Sequence, residues 1–377
     1  MKIVFVLDGF EIGGTELNAV RTLEAFARRD FAVTILHFQA DGPLKLRMAA
    51  IGHEMVHCPA AGFHSPLLPL RFGSMVRQLR RLQPSVIHTQ MIYGNIFCAA
   101  AGMLIERPVI TSRRWKDKVP RRAMIPMNAW AHRHSALVLP NASALTELLL
   151  REGVDPARVD VHQNFIDDSS LRLLPAAERA SWRASLGLPS DAIVIGCVAR
   201  FTSEKRHDVL IDAFRIVAGQ VPQARLVLVG YGSEQARLEE RVKGLSLDSK
   251  VFFTGMLPHA PLACQLFDVA CLASDNEGFP NSIVEASACG VPIIATLVGG
   301  TPDVLIEGVT GLGIAVGDVE GTAAAMQSLA LNPELRQRYG QAGRDLVVER
   351  FSETAAIDRL IGIYRRVAEQ HPMKDAR

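Results

Sequence analysis

Short apolar runs alternate with helical stretches along most of this chain, and that alternation limits the fold more than any other feature. The first series of strand candidates comprises residues 2–7, 32–38, 85–88 and 109–112, with helical stretches at 16–28, 70–82 and 95–105. The second series begins at Ile193 and continues through residues 225–229, 251–254, 269–273 and 292–296. Strands that alternate with helices predict parallel sheets with crossover helices. We therefore expect an α/β fold of two Rossmann-like domains whose sheets face each other across a cleft.

The length of the chain agrees with two domains, because 377 residues exceed what one hydrophobic core usually supports. We place an N-terminal domain at residues 1–166 and a C-terminal domain at residues 167–350, with a hinge around residues 159–170. Residues 351–377 form a predicted C-terminal helix that could return to the N-terminal domain.

Composition indicates an ordinary soluble protein, since 49% of the residues are hydrophobic and 21% are charged. The six cysteines lie singly in apolar surroundings and predict buried thiols in a reducing compartment. The apolar runs at 3–7 and 96–105 are too short for a signal-peptide core and a membrane span, respectively. We expect a cytoplasmic protein, or one attached to the inner face of the membrane only at its surface.

Two carboxylates, Glu277 and Glu285, flank a turn between a strand-like run ending at Asp275 and a short helix ending before Gly290. On one continuous helix, eight residues would rotate the two side chains apart by roughly 80°. Gly278 and Pro280 predict instead that Glu277 lies in a loop and Glu285 about one turn into the helix. Both could then reach one ligand at the carboxyl ends of parallel strands, where open α/β sheets bind small molecules.

Two further segments predict a phosphate site nearby. Gly299 and Gly300 precede Thr301 and a proline, so we expect free backbone N–H groups and a helix dipole to favour an anion there. Arg200 and Lys205 follow the strand that begins at Ile193, and two cations at a strand end suit a diphosphate.

Five ordered segments together resemble the GT-B glycosyltransferases, specifically the retaining family four that uses nucleotide-sugar donors. The segments are residues 13–16 (GGTE), 198–208 (VARFTSEKRHD), 229–234 (VGYGSE), 253–255 (FTG) and 277–300, and they span more than 280 residues. The resemblance implies a UDP- or GDP-sugar donor and transfer with retention of anomeric configuration to a glycan or lipid-linked glycan. It also implies that no cofactor is required, because the nucleotide sugar is itself a substrate.

The resemblance assigns roles to individual residues. Glu285 is expected to bind ribose hydroxyls and Glu277 hydroxyls of the transferred sugar, because carboxylates accept hydrogen bonds. Arg200 and Lys205 would stabilise charge on the leaving diphosphate, and with no Asp-x-Asp in the chain we expect no metal. The predicted catalytic residues are therefore Arg200, Lys205 and Glu277. The full set of donor-binding candidates is Gly13, Gly14, Gly230, Gly255, Met256, Glu285, Gly299, Gly300 and Thr301.

The acceptor-side candidates depart from the family pattern. Gln90 stands where many members carry the second histidine of a His-x-His, so His88 is either a hydrogen-bonded strand-end histidine or a sugar contact. Asn164 is followed by Phe165 instead of glycine, and arginines replace a histidine-aspartate pair at 113–114. The acceptor-side candidates are Glu16, His88, Gln90, Arg113, Arg114 and Lys116, although Glu16 could equally face solvent in a first helical turn.

Basic residues are concentrated in the N-terminal half. Residues 71–133 contain twelve Lys or Arg and two acids, a segment charge of about +10 against +2 for the whole chain. The run at 113–122, followed by apolar residues and Trp130, could rest on an anionic membrane, bind a phosphorylated acceptor or form a solvated helix face. We do not expect a nucleic-acid partner, because no recognition motif accompanies these residues.

Three functions remain open from the sequence. The first is a retaining, metal-independent hexosyl- or N-acetylhexosaminyltransferase, and the second is another GT-B enzyme such as a nucleotide-sugar epimerase or a phosphorylase. The third is a non-catalytic protein that binds nucleotide sugar. A dehydrogenase is disfavoured, because Gln235 occupies the third glycine position after Gly230 and Gly232.

Overall fold

The structure, a computed structural model, describes residues 1–59, 65–114, 123–257 and 260–372. The chain divides into two compact units. Unit 1 comprises Met1–Asn164 and Glu353–Arg377, and unit 2 comprises Phe165–Ser352. The chain therefore passes between the units twice, and the C-terminal residues belong to unit 1.

The described residues form twelve strands and fourteen α-helices. The strands are β1 Ile3–Leu7, β2 Val33–His37, β3 Glu54–His57, β4 Val86–Thr89, β5 Val109–Arg113, β6 Leu137–Pro140, β7 Ile193–Val198, β8 Ala224–Val229, β9 Val251–Gly255, β10 Val269–Leu272, β11 Ile293–Thr296 and β12 Gly311–Ile314. The helices are α1 Gly14–Arg28, α2 Lys45–Ala50, α3 Leu68–Leu82, α4 Ile92–Ile105, α5 Met124–Arg133, α6 Ala144–Arg151, α7 Ala176–Ser185, α8 His207–Gln220, α9 Gln235–Gly244, α10 Ala260–Ala263, α11 Asn281–Ala288, α12 Val319–Leu331, α13 Pro333–Arg350 and α14 Glu353–Gln370.

Each unit contains one six-stranded parallel sheet, and the two sheets have the same strand order. Unit 1 has the order β3-β2-β1-β4-β5-β6, and unit 2 has β12-β11-β10-β7-β8-β9. In both, the order reverses next to the first strand, between β1 and β4 and between β7 and β10. This is the doubly wound order in which ligands bind outside the carboxyl ends of the strands at the reversal. The predicted pair of Rossmann-like parallel sheets is confirmed.

The strands of both sheets are largely apolar, because helices cover each sheet on both faces. Strand β1 has the sequence IVFVL with every residue buried, as expected for a parallel strand between two helix layers. The core of unit 1 packs β1, β2 and β4 against α3 and α4, through residues such as Leu79 and Phe97. The core of unit 2 packs β7 and β8 against Phe267 and Ala286.

Three strands were not predicted from the sequence. Strand β3 is partly exposed at the edge of its sheet, so its residues do not form an apolar run. Strand β6 has only four residues and ends at Pro140, and β12 contains two glycines, which are depleted in strands. Strand β10 ends at Leu272, three residues before Asp275, where the apolar run was expected to end.

Helix α14 is held within unit 1 by specific polar contacts. Arg359 and Arg366 each donate to Asp160, at 2.6 and 2.7 Å. Glu353 pairs with Arg28 of α1. The hydroxyl of Tyr364, which is fully buried, lies 2.6 Å from Nδ1 of His88 in β4.

Candidate functional site

Three loops of unit 2 converge at the carboxyl ends of β7, β10 and β11. The Asp275 N–H donates to the Glu204 carbonyl at 2.9 Å, which joins the β7 and β10 loops. The Thr296 hydroxyl donates to the Ser274 carbonyl at 2.7 Å, and the Gly300 N–H to the Gly278 carbonyl at 2.9 Å. The sheet reverses between β7 and β10, so these bonds lie at the edge where doubly wound sheets bind ligands.

Lys205 and Glu277 form an ion pair at this edge. Lys205 Nζ lies 2.7 Å from Glu277 Oε1, and the Ser274 hydroxyl donates to the same oxygen at 2.6 Å. The two side chains are 19% and 8% exposed. Partial burial strengthens such a pair relative to one on the surface. The structure thus brings together two of the three predicted catalytic residues, while Arg200 lies exposed in the loop that follows β7.

Arg206 and two aspartates, Asp208 and Asp275, extend the charged edge, and none of the three was predicted as a site residue. Arg206 has a left-handed backbone with φ of 48° at the start of α8. Its guanidinium pairs with Asp275 at 3.0 Å and with Asp208 at 3.2 Å. Arg206 directly follows the predicted site residue Lys205, and Asp275 ends the apolar run named in the sequence analysis, so proximity to these positions was the available signal.

The loop at Gly299 and Gly300 differs from the anion site predicted by the sequence. The Gly300 and Thr301 N–H groups already donate to Gly278 and Val298 carbonyls, so they do not point at a ligand. The helix behind them is one 3₁₀ turn, Thr301–Asp303, which carries little dipole. Gly299 has φ of 55°, and a Cβ there would lie 1.7 Å from the Glu277 carbonyl oxygen. These glycines therefore shape the Glu277 loop through close backbone packing.

The loops after β8 and β9 complete the same edge. A Cβ on Gly230 would lie 2.0 Å from the Ala199 carbonyl oxygen, so only glycine fits beside the β7 loop. The Gly230 N–H donates to the Gly255 carbonyl at 3.0 Å. Gly255 has φ of 66° with open space around it, and Met256 beyond it is 73% exposed. This part of the edge offers an open backbone turn and one exposed apolar side chain.

The remaining donor-binding candidates lie at three places. Glu285 is the fifth residue of α11 and is 7% exposed, and Pro280 precedes the helix instead of opening its first turn. Thr301 is fully buried, with no described hydrogen-bond partner for its hydroxyl. Gly13 and Gly14, by contrast, belong to unit 1, where Gly13 caps α1 and Gly14 is its first residue.

Two carboxyls lie at the corresponding edge of unit 1, and one of them, Asp8, was not predicted from the sequence. Asp8 follows β1 and accepts from the Tyr93 and Gly94 N–H groups at 2.9 and 2.7 Å, which caps α4. Burial raises the pKa of Asp8 to about 7 despite these bonds. Glu16 is only 8% exposed, and burial raises its pKa as well. The alternative that Glu16 faces solvent was therefore wrong.

A buried network joins His88, Gln90 and Arg114. Arg114 donates to the side-chain oxygens of Gln90 and Asn164, the latter at 2.8 Å. Arginine only donates, so the Gln90 amide nitrogen must face His88 Nε2, 3.1 Å away, which then accepts. His88 therefore carries its proton on Nδ1 and donates it to Tyr364. Burial, reinforced by the charge of Arg114, holds the pKa of His88 well below its usual value.

Arg113 and Arg114 are buried, which corrects the prediction that they belong to an exposed basic face. Arg113 is the last residue of β5 and pairs with Glu152 at 3.1 Å. Arg114 has no carboxylate within ion-pair distance among the described residues, and burial lowers its pKa to about 10. Lys116 and the other basic residues at 118, 121 and 122 lie outside the described residues.

The described residues contain neither a cluster of metal ligands nor a membrane-spanning helix. No group of three or more His, Cys, Asp or Glu side chains in these ranges is arranged to hold a metal ion. No helix within them is both long and apolar enough to cross a bilayer.

Comparison with known proteins agrees with this architecture. The two six-stranded parallel sheets define a GT-B fold, as in the Anabaena Alr3699/HepE crystal structure with UDP, which aligns at a TM-score of 0.87. That alignment covers 97% of this chain and 100% of the other at 20% identity. The Alr3699/HepE complex with UDP-glucose aligns at 0.80 with 22% identity and also covers 97% and 100% of the two chains.

Matches to family models identify the chain more specifically than the fold alone does. The model for glycosyl transferases group 1 matches residues 178–346, and that for glycosyltransferase family 4 matches residues 12–170. A D-inositol 3-phosphate glycosyltransferase from Saccharomonospora viridis is 34% identical over 394 residues, covering 94% of this chain and 89% of that protein. The chain belongs to the group 1 glycosyltransferases.

A second relative matches over a shorter length. The N-acetyl-alpha-D-glucosaminyl L-malate synthase of Bacillus anthracis is 31% identical over 201 residues. The match covers 53% of this chain and about half, 52%, of that relative.

Proposed function

We propose that this chain is a retaining glycosyltransferase that moves a hexosyl or N-acetylhexosaminyl group from a nucleotide sugar to a glycan or lipid-linked glycan. The observation that carries the proposal is the Lys205–Glu277 ion pair of 2.7 Å at the sheet reversal of unit 2. A cation for a diphosphate and a carboxylate for sugar hydroxyls are what a nucleotide sugar needs from adjacent loops. UDP-sugars are the first donors to test, since the Anabaena neighbour was solved with UDP and UDP-glucose, and GDP-sugars are the second.

The proposed reaction exchanges one bond at the anomeric carbon for another. The acceptor hydroxyl oxygen bonds to that carbon on the face from which the diphosphate leaves, and the carbon–oxygen bond to the diphosphate breaks. The acceptor proton passes to the departing diphosphate. Negative charge grows on the diphosphate during this step, so Lys205 and the exposed Arg200 act where stabilisation matters most. Lys205 would exchange part of its contact with Glu277 for the phosphate, which frees Glu277 for the sugar.

The other proposed contacts follow the family resemblance. Glu285 accepts hydrogen bonds from the ribose hydroxyls, and the base lies against the turn at Gly255 and Met256. Fixed cations take the place of a metal ion, and no cofactor takes part. We assign the acceptor to unit 1, where Glu16 and Gln90 are the proposed contact residues. The protein would act in the cytoplasm, attached to the surface of a membrane.

A donor screen tests the proposal directly. The full chain is incubated with UDP-, GDP- and ADP-sugars, with and without glycan acceptors, and released nucleoside diphosphate is measured. We expect release with one donor class and an NMR coupling constant that shows an unchanged anomeric configuration in the product. An inverted product would contradict the retaining mechanism, and loss of release in Lys205→Ala would link the activity to this site.

A second candidate, a nucleotide-sugar-binding protein without transferase activity, is favoured by the network around His88. Gln90 replaces a family histidine, and His88 is neutral and tied to Tyr364, so neither side chain supplies a proton near neutral pH. The same donor screen separates the two. Tight nucleotide-sugar binding without release of nucleotide under any acceptor condition would favour the binder.

A further inference from the structure

Arg206 has a backbone conformation that arginine rarely adopts. Its φ of 48° lies in the left-handed region, where a residue with a Cβ atom is strained. Four other residues in the described ranges that are not glycine share a positive φ, namely Asp30, Gln83, Glu106 and Ser246. Each of these lies just beyond the end of α1, α3, α4 or α9, where left-handed residues commonly end a helix. Arg206 instead follows a single 3₁₀ turn, Ser203–Lys205, and directly precedes α8.

Local preferences do not favour arginine at position 206. Glycine adopts a left-handed φ without strain. The N-terminus of a helix carries a partial positive charge, so a cation beside the start of α8 is unfavourable. The carbonyl of Arg206 accepts from the Val209 N–H at 3.1 Å, a bond that any residue could make. The reason for an arginine therefore lies in the contacts of its side chain.

All three nitrogen atoms of the Arg206 guanidinium contact carboxylates. Nε lies 3.2 Å from Oδ1 of Asp208, and Nη2 lies 3.4 Å from Oδ2 of the same residue. Nη1 lies 3.0 Å from Oδ1 of Asp275. Asp208 is the second residue of α8, and Asp275 lies in the loop after β10. The planar fork of arginine thus ties the start of α8 to a second loop, which the single nitrogen of a lysine could not do in the same way.

Asp275 is bound by the residues on both sides of Lys205. Its N–H donates to the Glu204 carbonyl at 2.9 Å, and its carboxylate accepts from Arg206. Lys205 stands between these two residues, and its Nζ lies 2.7 Å from Oε1 of Glu277. Helix α8 is packed in unit 2 through eight buried residues, so it cannot easily move. A change of φ at Arg206 would therefore have to be taken up by the loop that carries Lys205.

We propose that Arg206 is a positioning residue whose ion pairs with Asp208 and Asp275 place Lys205 against Glu277. The paired side chains are partly exposed, and solvent weakens each pair. Three contacts from one rigid guanidinium nevertheless favour a single geometry of the loop, which an isolated surface pair would not do. The effect on sugar transfer rests on the proposed function. A displaced Lys205 would still attract the diphosphate but would stabilise its growing charge less well.

Arg206→Ala in the full chain tests the role in transfer. We expect kcat to fall by about tenfold, because a misplaced charge reduces the stabilisation of the transition state. The UDP dissociation constant should change by less than about threefold, because binding depends less on the exact position of the charge. Arg241→Ala is the matched control, since Arg241 of α9 forms a similar ion pair with Asp212 of α8. This control should transfer sugar as the wild type does.

Arg206→Gly separates the ion pairs from the backbone conformation. Glycine adopts the left-handed φ without strain, so this variant should unfold at a higher urea concentration than Arg206→Ala does. It should still share the loss in kcat, because the ion pairs that hold the loop are absent. A purely structural role would instead make stability and kcat recover together. Wild-type kcat in Arg206→Gly would overturn the proposal.

A crystal structure of Arg206→Ala locates Lys205 independently of any activity. The distance from Lys205 Nζ to Glu277 Oε1, which is 2.7 Å in the wild type, should increase beyond about 4 Å, the limit of an ion pair. If the wild type transfers no sugar, the proposed function fails, and this distance still decides the positioning role.

Asp275→Asn provides the same measurement if Arg206→Ala does not fold. It removes one ion pair of Arg206 and keeps the backbone bond between residues 275 and 204. We expect the Lys205–Glu277 contact to lengthen in this variant as well. A contact that stays at 2.7 Å in the variant whose structure is solved would overturn the proposal.

Discussion

The two sheets of this protein share one strand order but differ in what their loops carry at the sheet reversal. In unit 2 the loops after β7 and β10 hold opposite charges in contact, with Lys205 on Glu277 and Arg206 on Asp275. In unit 1 the carboxyl ends of β4 and β5 carry a buried network of His88, Gln90 and Arg114. The same backbone frame thus presents partly exposed ion pairs in one unit, and a buried guanidinium held by neutral amide side chains in the other.

The difference teaches that fold and site are separable in this family. A strand reversal provides the crevice, while the loop residues determine its chemistry. In unit 2, the paired charges are partly exposed, at the edge where we propose that the diphosphate binds. In unit 1, the buried guanidinium of Arg114 donates hydrogen bonds to the amide oxygens of Gln90 and Asn164. These bonds fix the orientation of the two amide side chains.

The largest expected effect comes from Lys205→Ala in unit 2. Removing one preorganised charge that stabilises a developing anion typically costs about 100-fold or more in turnover. We expect kcat for sugar transfer to fall by that order, with a much smaller change in donor affinity, because the charge on the diphosphate grows toward the transition state. Lys243→Ala, an exposed lysine of α9, is the matched control. A variant that binds donor poorly but turns over normally would contradict this role for Lys205.

The Gly299→Ala variant should disturb the same edge through the backbone. Its new Cβ would meet the Glu277 carbonyl oxygen at 1.7 Å, in addition to the strain of a left-handed residue. Gly308→Ala is a close control, because Gly308 has φ of 69° and no atom within 4 Å of its Cβ position. We expect the control to cost about 1 kcal/mol in the free energy of unfolding and Gly299→Ala to cost about 2 kcal/mol more, with loss of donor binding. Equal urea midpoints for the two variants would contradict this prediction, because they would show that the Glu277 loop can move away from the new Cβ at little cost in free energy.

Asp8 in unit 1 should give the protein a pH-dependent stability. Its pKa is about 7 in the folded state against 3.8 ordinarily, so the folded protein holds this proton more tightly than the unfolded chain does. The stabilising contribution is complete below about pH 4 and is lost as pH rises toward 7, with a slope of up to about 1.4 kcal/mol per pH unit.

Asp8→Asn tests this contribution by removing the titration while keeping an oxygen that can accept from α4. Buried histidines with lowered pKa, such as His132 and His162, have the opposite effect, since they make the folded protein less stable as pH falls. The difference between wild type and variant at each pH therefore isolates Asp8. We expect urea unfolding to show the variant gaining stability relative to wild type from pH 4 to 7. A difference that stays constant with pH would contradict the raised pKa.

Chelation is expected to produce the smallest effect. Fixed cations are proposed to stabilise the leaving diphosphate, so transfer should continue at an unchanged rate after dialysis against EDTA. Inactivation that magnesium or manganese reverses would show that the charges of unit 2 are insufficient on their own.

The sequence predicted the frame of both sheets because buried parallel strands form apolar runs that are visible without any tertiary information. It could not predict β3 or β12, whose residues are exposed or glycine-rich and pair only because a neighbouring strand is present. The same limit applies to the site. Lys205 and Glu277 were recognisable as residue types at strand ends, but their contact across 72 positions depends on the strand order.

Two errors share a physical cause. Arg113 and Arg114 were expected on an exposed face because arginine is mostly exposed. Glu152, Gln90 and Asn164, which make their burial possible, lie 24 to 50 residues away in the chain. The glycines at 299 and 300 were expected to bind an anion, but their tight packing against Glu277 and Gly278 appears only when the β10 and β11 loops are folded together.

The central claim, that the charged edge of unit 2 holds the donor nucleotide, is tested most directly by titrating UDP into three proteins in a calorimeter. Glu285→Ala removes a carboxylate proposed to accept ribose hydroxyls, and hydrogen bonds to charged groups contribute about 1.5 to 3 kcal/mol each. Arg114→Lys changes the buried network of unit 1 and keeps its charge. We predict that UDP binds the wild type, that Glu285→Ala weakens binding by about tenfold or more, and that Arg114→Lys leaves it unchanged. An unchanged UDP dissociation constant in Glu285→Ala, or a loss only in Arg114→Lys, would contradict the account.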